Sequence, residues 1–352
     1  MALVAVFGLQ AWNVSQYAIT PGDATPVAPL VKIQGVATES HHDRIMLTDV
    51  YLQQLTAWQW LVMHFQSHVQ FVGANALLEP GVPESELTAQ GFLQMSDSKQ
   101  AAEVAAFRAL GWKVPATSTG AVVTSVVTAS PALRAGIHVA DEIVGVGTTK
   151  VDSSCGVVRA VHDLVAGSVV ELRVEPATIS ATGVISWGAL RRVTVRTASA
   201  PSGLGPSGCS GARGPERSWL GVSLEDGVRY ELPAKVSINT SNIGGPSAGL
   251  AMTLTMIDQL SRGSLTGHHA IAATGTMDPY GNVGDVGGVA EKTVAVQRAG
   301  ARYFFVPQVE VTTARQVAQP GLTIIGVTTL SQVLRDLHSI GGAVPTPLTK
   351  PR

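Results

Sequence analysis

Apolar and polar positions follow several different periods along this chain. Residues 50–72 mix aromatic and aliphatic groups with polar ones around Trp58, Trp60, Leu61 and Phe65. That spacing predicts a buried amphipathic helix. Residues 97–111 predict a second helix, with Asp97 or Ser98 as N-cap, Ala and Leu inside, and Gly111 as the stop. From 119 to 197 the runs become short and Val-rich: A-V-V-T-S-V-V, E-I-V-G-V-G and V-V-E-L-R-V-E. These predict strands, with a short helical stretch near 155–165. Residues 201–215 are mostly Gly, Pro and Ser, a composition that builds no core and reads as a linker. From Ser218 to about Leu337 strands and helices alternate, and no internal repeat is visible. The fold class predicted is α+β, with an α/β unit at the C-terminal end.

At the start, residues 2–12 are apolar except for Gln10, and the first basic residue is Lys32. A membrane span needs about 20 apolar residues, so this run is too short to be one by itself. It reads as a buried strand or short helix, or as the outer half of a signal anchor. A Pro-rich extended stretch follows at 20–29.

The 352 residues suggest about two domains. A net charge of -1 argues against a nucleic-acid partner, which selects for a basic surplus. Charged residues make up 14% and hydrophobic residues 45%, which excludes a disordered chain. Cys155 and Cys209 are too few for a disulfide scaffold or a Cys-rich zinc module, and leave room for one disulfide in an oxidising space.

The sharpest chemical signal is N-I-G-G-P-S-A-G-L-A-M-T-L-T-M-I at 242–257. A Gly-Gly-Pro turn delivers Ser247 to the start of an apolar helix, beside the small residues Gly245, Ala248 and Gly249. Unpaired N–H groups at a helix start suit an oxyanion. An N-cap role would equally place a serine there. A serine nucleophile needs a base, and Lys292 falls on the apolar face of the 287–300 segment. Lysines there usually extend to water. Kept buried, the amine would lose basicity, and a fall of roughly 3 units from about 10.4 makes it a base near neutrality.

Other patterns are weaker. G-P-S-A-G also fits a nucleophile elbow, for which Asp285 and His338 would follow in order, but no H-G-G-G type motif precedes it. His64 and His68 share a helical face with Phe65 where a catalytic acid would stand, so they read as packing groups. His41, His42, His268 and His269 lack partners at ligand spacing, so neither a metal nor another cofactor is predicted. No G-x-x-x-x-G-K-[ST] occurs, so no P-loop holds ATP.

Taken together, G-P-S-A-G at 245–249, A-A-T-G-T at 272–276 and G-N-V-G-D-V-G-G-V-A-E-K at 281–292 resemble the proteolytic domain of Lon proteases. The strand A-G-A-R-Y-F-F-V-P at 299–307 continues the likeness. The resemblance implies a Ser247–Lys292 dyad without histidine, Thr274 supporting the amine, and Gly245 shaping the turn. It departs from ATP-dependent Lon at Gly244, where an acid is usual, and at Thr276, where glutamate is usual. Residues 126–146, V-V-T-A-S-P-A-L-R-A-G-I-H-V-A-D-E-I-V-G-V, resemble a PDZ domain, with Leu110-Gly111-Trp112 as a candidate carboxylate loop. PDZ domains take extended peptides, often C-termini, on a sheet edge.

Y-A-I-T-P-G-D and L-Q-M-S-D-S-K-Q-A-A further resemble the membrane-anchored, PDZ-containing Lon-like peptidases of bacteria. This resemblance divides the chain into an anchor at 1–19, an N-terminal segment at 20–112, a PDZ domain at 113–198, a linker at 199–217, a proteolytic domain at 218–345 and a tail at 346–352. It implies an ATP-independent serine endopeptidase, anchored in the cell membrane with its body extracytoplasmic. Flexible or unfolded proteins would be its substrates, and a homo-oligomeric ring is implied as well. The rival expectation is a PDZ adaptor with a degenerate peptidase domain.

Overall fold

The computed structural model describes residues 10, 12–73, 76–77, 82–83, 86–180, 182–201, 209 and 218–349. The apolar run at 2–12 lies outside them apart from Gln10 and Trp12, and the linker at 199–217 apart from residues 199–201 and Cys209. The chain divides into two compact units. The first draws on Met1–Leu77, Asp97–Val114 and Leu232–Arg352, and the second on Leu78–Ser96 and Pro115–Glu231.

A six-stranded sheet organises the first unit, in the order Thr323–Val327, Tyr303–Pro307, Ala270–Ala273, Arg44–Thr56, Asn13–Pro26, Gln70–Gly73. The first four run parallel, with Ile271 beside Ile45, Ala272 beside Phe304 and Phe305 beside Ile325. Parallel neighbours need crossover connections. The Val289–Arg298 and Val311–Val317 helices supply two of them. Strands covered on both faces read as continuous apolar runs, as in A-I-A-A and F-F-V. The last three strands pair antiparallel, with Ile19 opposite Leu52 and Tyr17 opposite Val72. The Gly249–Leu260 helix is mostly apolar and buried along nearly its whole length, with Asp258 and Gln259 in its last turn.

Several expectations change here. Residues 50–56 extend the Arg44–Thr56 strand, and the helix expected at 50–72 shrinks to Ala57–Met63. Thr56 and Gln59 close that helix in a capping box, and none of its residues is buried. Trp60 and Phe65 are exposed. Cross-strand pairing with Asn13–Pro26 overrides the helical spacing, because it satisfies the backbone over a long register. The helix expected at 97–111 runs from Leu87 to Ala109, so Asp97 and Ser98 lie inside it and cap nothing. Residues 346–349 form no free tail: Leu348 N–H donates to Leu260 O, and Arg262 N–H to Thr346 O.

The second unit holds a sheet in the order Arg191–Arg196, Val169–Glu175, Glu142–Val146, Ala116–Val126, Val222–Tyr230. Val123, Ile137, Ile143, Leu172, Val174 and Val195 fill its core. Ser130 caps the Pro131–Arg134 turn of helix through the Leu133 N–H, with proline first. The strand Val222–Tyr230 pairs with Ala116–Val126, so residues 218–231 belong to this unit rather than to the head of the proteolytic domain. Leu110 and Trp112 are buried in the first unit, where Trp112 meets Phe107 edge-on, and offer no carboxylate loop. Cys155 and Cys209 are joined in a disulfide that closes a sequence separation of 54 residues.

Candidate active site

The turn before the buried helix is shaped by two glycines. Gly245 has φ +85°, a conformation that side chains resist. A Cβ on Gly249 would stand 2.9 Å from the backbone nitrogen of Met277 and 3.0 Å from Ser98 Oγ. Only a glycine lets the helix begin so close to the Thr276–Met277 strand. Ser247 is half-buried between them. The residue at the cap position is Ala248, with no side-chain cap, so the Ser247 hydroxyl has no capping duty. The Ser247 carbonyl accepts from Gly275 N–H at 2.9 Å and from Thr274 Oγ1 at 3.3 Å. The Pro246 carbonyl accepts from Ser98 Oγ at 2.9 Å.

Lys292 comes from the Val289–Arg298 helix, which packs on the Asn13–Pro26 and Arg44–Thr56 strands. It does not reach for water: it is 3% exposed, and Nζ donates to Thr274 Oγ1 at 3.3 Å. Thr274 is fully buried at the end of the Ala270–Ala273 strand. Its one proton goes to the Ser247 carbonyl and a lone pair receives the lysine. Burial pulls the Lys292 amine down to about 8, while Glu310 and Asp49 pull the other way. Burial also raises the Asp49 carboxyl, even though Asp23 N–H donates to it at 2.7 Å.

A cleft of 180 Å³ collects these groups, lined by Thr48, Asp49, Tyr51, Gly244, Ser247 and Lys292 among others. No direct hydrogen bond joins Ser247 Oγ to Lys292 Nζ among the described residues; both residues line the cleft, and Thr274 Oγ1 links Nζ to the Ser247 carbonyl. Of the residues picked out from sequence, Ser247, Thr274 and Lys292 are thus brought together, and Gly245 shapes the turn. Gly244 lines the cleft without an acid, and Thr276 pairs with Gly284 in a short hairpin. Asp285 is exposed and His338 bonds the Gly342 carbonyl, so neither faces Ser247 across the cleft. His64 stacks with Phe71 and Trp60. Among the described residues, no three His, Cys, Asp or Glu side chains gather as metal ligands. Thr48, Asp49, Tyr51 and Ser98 were not singled out for the site from sequence. They reach it through sheet pairing and helix packing far from the serine motif, and carry no local signature.

Two segments of the chain match known protein families. Residues 239–339 match the Lon protease (S16) C-terminal proteolytic domain, and residues 108–176 match the PDZ domain. Lon protease of Rickettsia felis is 32% identical over 134 residues, 37% of this chain and 16% of that protein. Lon protease 2 of Thermus thermophilus is 31% identical over 126 residues, 35% of this chain and 15% of that protein. The alignments therefore span about a sixth of the length of these relatives. This chain carries a proteolytic domain of the Lon (S16) type together with a PDZ domain.

Proposed function

We propose that this chain is an ATP-independent serine endopeptidase in which Ser247 is the nucleophile and Lys292 the general base. The observation that carries it is the buried Lys292 amine, tied through Thr274 Oγ1 to the Ser247 backbone in one cleft. In its neutral form Lys292 takes the proton from Ser247 Oγ, which attacks the scissile carbonyl. N–H groups beside Ser247 hold the developing oxyanion. Lys292 then gives the proton to the leaving amine, and water hydrolyses the acyl-enzyme. Thr274 holds the amine in place, and Gly245 keeps the turn open to a substrate backbone. The sequence has no P-loop to drive unfolding, so flexible or already unfolded proteins are the fitting substrates. The PDZ domain would select them by C-terminal or extended peptides, and a ring of copies would enclose them.

Membrane attachment with an extracytoplasmic body belongs to the same reading. The Cys155–Cys209 disulfide fits an oxidising compartment. Residues 1–22 and 50–78 contain no Asp, Glu, Lys or Arg. Within them Trp12, Trp60, Leu61 and Phe65 are exposed, a composition suited to a lipid interface. No helix among the described residues is long and apolar enough to cross a membrane.

Hydrolysis of an unfolded protein without ATP tests the activity, with Ser247→Ala and Lys292→Ala alongside and the folding of each checked. Only the wild type should cut. Wild-type rates from Lys292→Ala would reject the dyad, and silence from a folded, oligomeric wild type would favour the adaptor.

A further inference from the structure

Ser98 comes from outside the matched proteolytic segment, on the Leu87–Ala109 helix. It is 4% exposed. A serine inside a helix commonly returns its hydroxyl to a carbonyl of its own preceding turn. Here the hydroxyl donates instead to the carbonyl of Pro246, the residue just before the nucleophile, at 2.9 Å; the Gly249 N–H donates to the same oxygen at a longer 3.4 Å, so Ser98 is its closer donor. The contact spans 148 positions of sequence, so the chain's N-terminal part grips the serine turn directly.

That grip has a geometric consequence. A trans peptide is planar, and its C=O and the following N–H point in opposite directions. Holding the Pro246 carbonyl therefore sets the direction of the Ser247 N–H. The next carbonyl, of Ser247, is held by Gly275 N–H and Thr274 Oγ1, which sets the Ala248 N–H in the same way. Neither the Ser247 N–H nor the Ala248 N–H has a hydrogen-bond acceptor among the described residues. Both residues line the cleft. Two consecutive peptide planes are thus fixed by their carbonyls while their donors stay free, which is what a preorganised oxyanion hole needs.

We infer that Ser98 is a positioning residue that fixes the Ser247 N–H as an oxyanion donor by holding the Pro246 carbonyl. The inference rests on the peptidase reading above. A positioning role of this kind acts on the transition state and leaves ground-state peptide binding alone.

The test compares wild type, Ser98→Ala and Ser98→Thr in the full chain, with thermal unfolding checked for each. Two readouts are followed: kcat and KM on one fluorogenic peptide, and inhibition by a peptide boronate that forms a tetrahedral adduct on Ser247. Ser98→Ala should lower kcat by roughly 10- to 100-fold with KM within about twofold. The boronate inhibition constant should rise by the same factor as kcat falls. Ser98→Thr keeps the donor and should recover both. The inference is overturned if Ser98→Ala keeps wild-type kcat, if KM alone changes, or if kcat falls while boronate affinity holds. It is equally overturned if Ser98→Thr is as impaired as Ser98→Ala. A wild type that neither cuts peptide nor reacts with boronate instead overturns the peptidase reading, so the two failures are distinct.

Discussion

Lys292 is kept from water on a helix buried over most of its length, and the consequence is chemical as well as energetic. Burial disfavours the ammonium and lowers the amine to about 8. If Lys292 is the base, kcat/KM should rise with pH along a limb centred near 8, because only the neutral amine accepts the serine proton. A pH–rate profile flat between about 6 and 9 would exclude it. The same shift costs stability. A lysine whose folded pKa is lowered gives its full contribution above its unfolded value of about 10.4, and loses it as pH falls through about 8. At pH 7 the buried ammonium therefore costs on the order of 3 kcal/mol. Lys292→Met, similar in length and uncharged, should raise the melting temperature at pH 7 while abolishing hydrolysis. Equal loss of stability and activity would show that the amine is structurally required.

At the scale of elements, the Ser247 helix depends on how closely its first turn approaches the Thr276–Met277 strand. Gly249→Ala would push a methyl to 2.9 Å from the Met277 backbone nitrogen, where no flexible side-chain end can yield. The helix start must shift, and we expect a loss of about 1–3 kcal/mol in urea unfolding, with a larger loss of activity as Ser247 moves with it. Unchanged stability would mean that the turn has slack. This part of the site was legible in the sequence because everything it needs is local: turn glycines, a small residue on either side of the serine, and an apolar run. The Lys292 helix was legible for the same reason, from the apolar spacing of the 287–300 segment. The elements opposite were not. Residues 50–56 carry bulky groups at a spacing that fits a helix, and only the register with Asn13–Pro26 decides for strand. The Leu87–Ala109 helix begins well before the expected cap because L-T-A-Q-G-F-L-Q-M-S offers no start signal and tertiary packing holds it. Asp49, Tyr51 and Ser98 ride on these two elements, so their presence at the site followed from pairings that no local pattern announces.

Across the first unit, the buried charges set a pH dependence that differs from that of an ordinary globular protein. Asp258, near the end of the Ser247 helix, is pushed up to about 7 by burial, although Leu265 N–H donates to it at 3.1 Å. Asp43, held by Ser264 Oγ and Thr266 N–H, adds to that rise, and His41 opposes it. Burial also pushes Glu103 up to about 7, against the nearby Lys99. A carboxylate whose folded pKa is raised gives its full contribution below the unfolded value near 4, and loses it as pH rises through about 7. Lys292 acts at the other end, restoring stability only as pH climbs from about 8 towards 10.4. The two signs leave a trough between about 7 and 8, where the carboxylates are ionised and the lysine is still charged. Scanning calorimetry at about pH 5, 7.5 and 9.5 should find the first unit's transition lowest at the middle value. Asp258→Asn keeps the acceptor for Leu265 and removes the charge, so it should raise that transition by several degrees more at about pH 7.5 than at about pH 5. An equal shift at both values, or a transition that climbs steadily between them, would mean that these acids titrate normally. The trough would coincide with the pH at which Lys292 begins to supply the neutral amine, so the protein would gain its base and recover its stability through the same deprotonation.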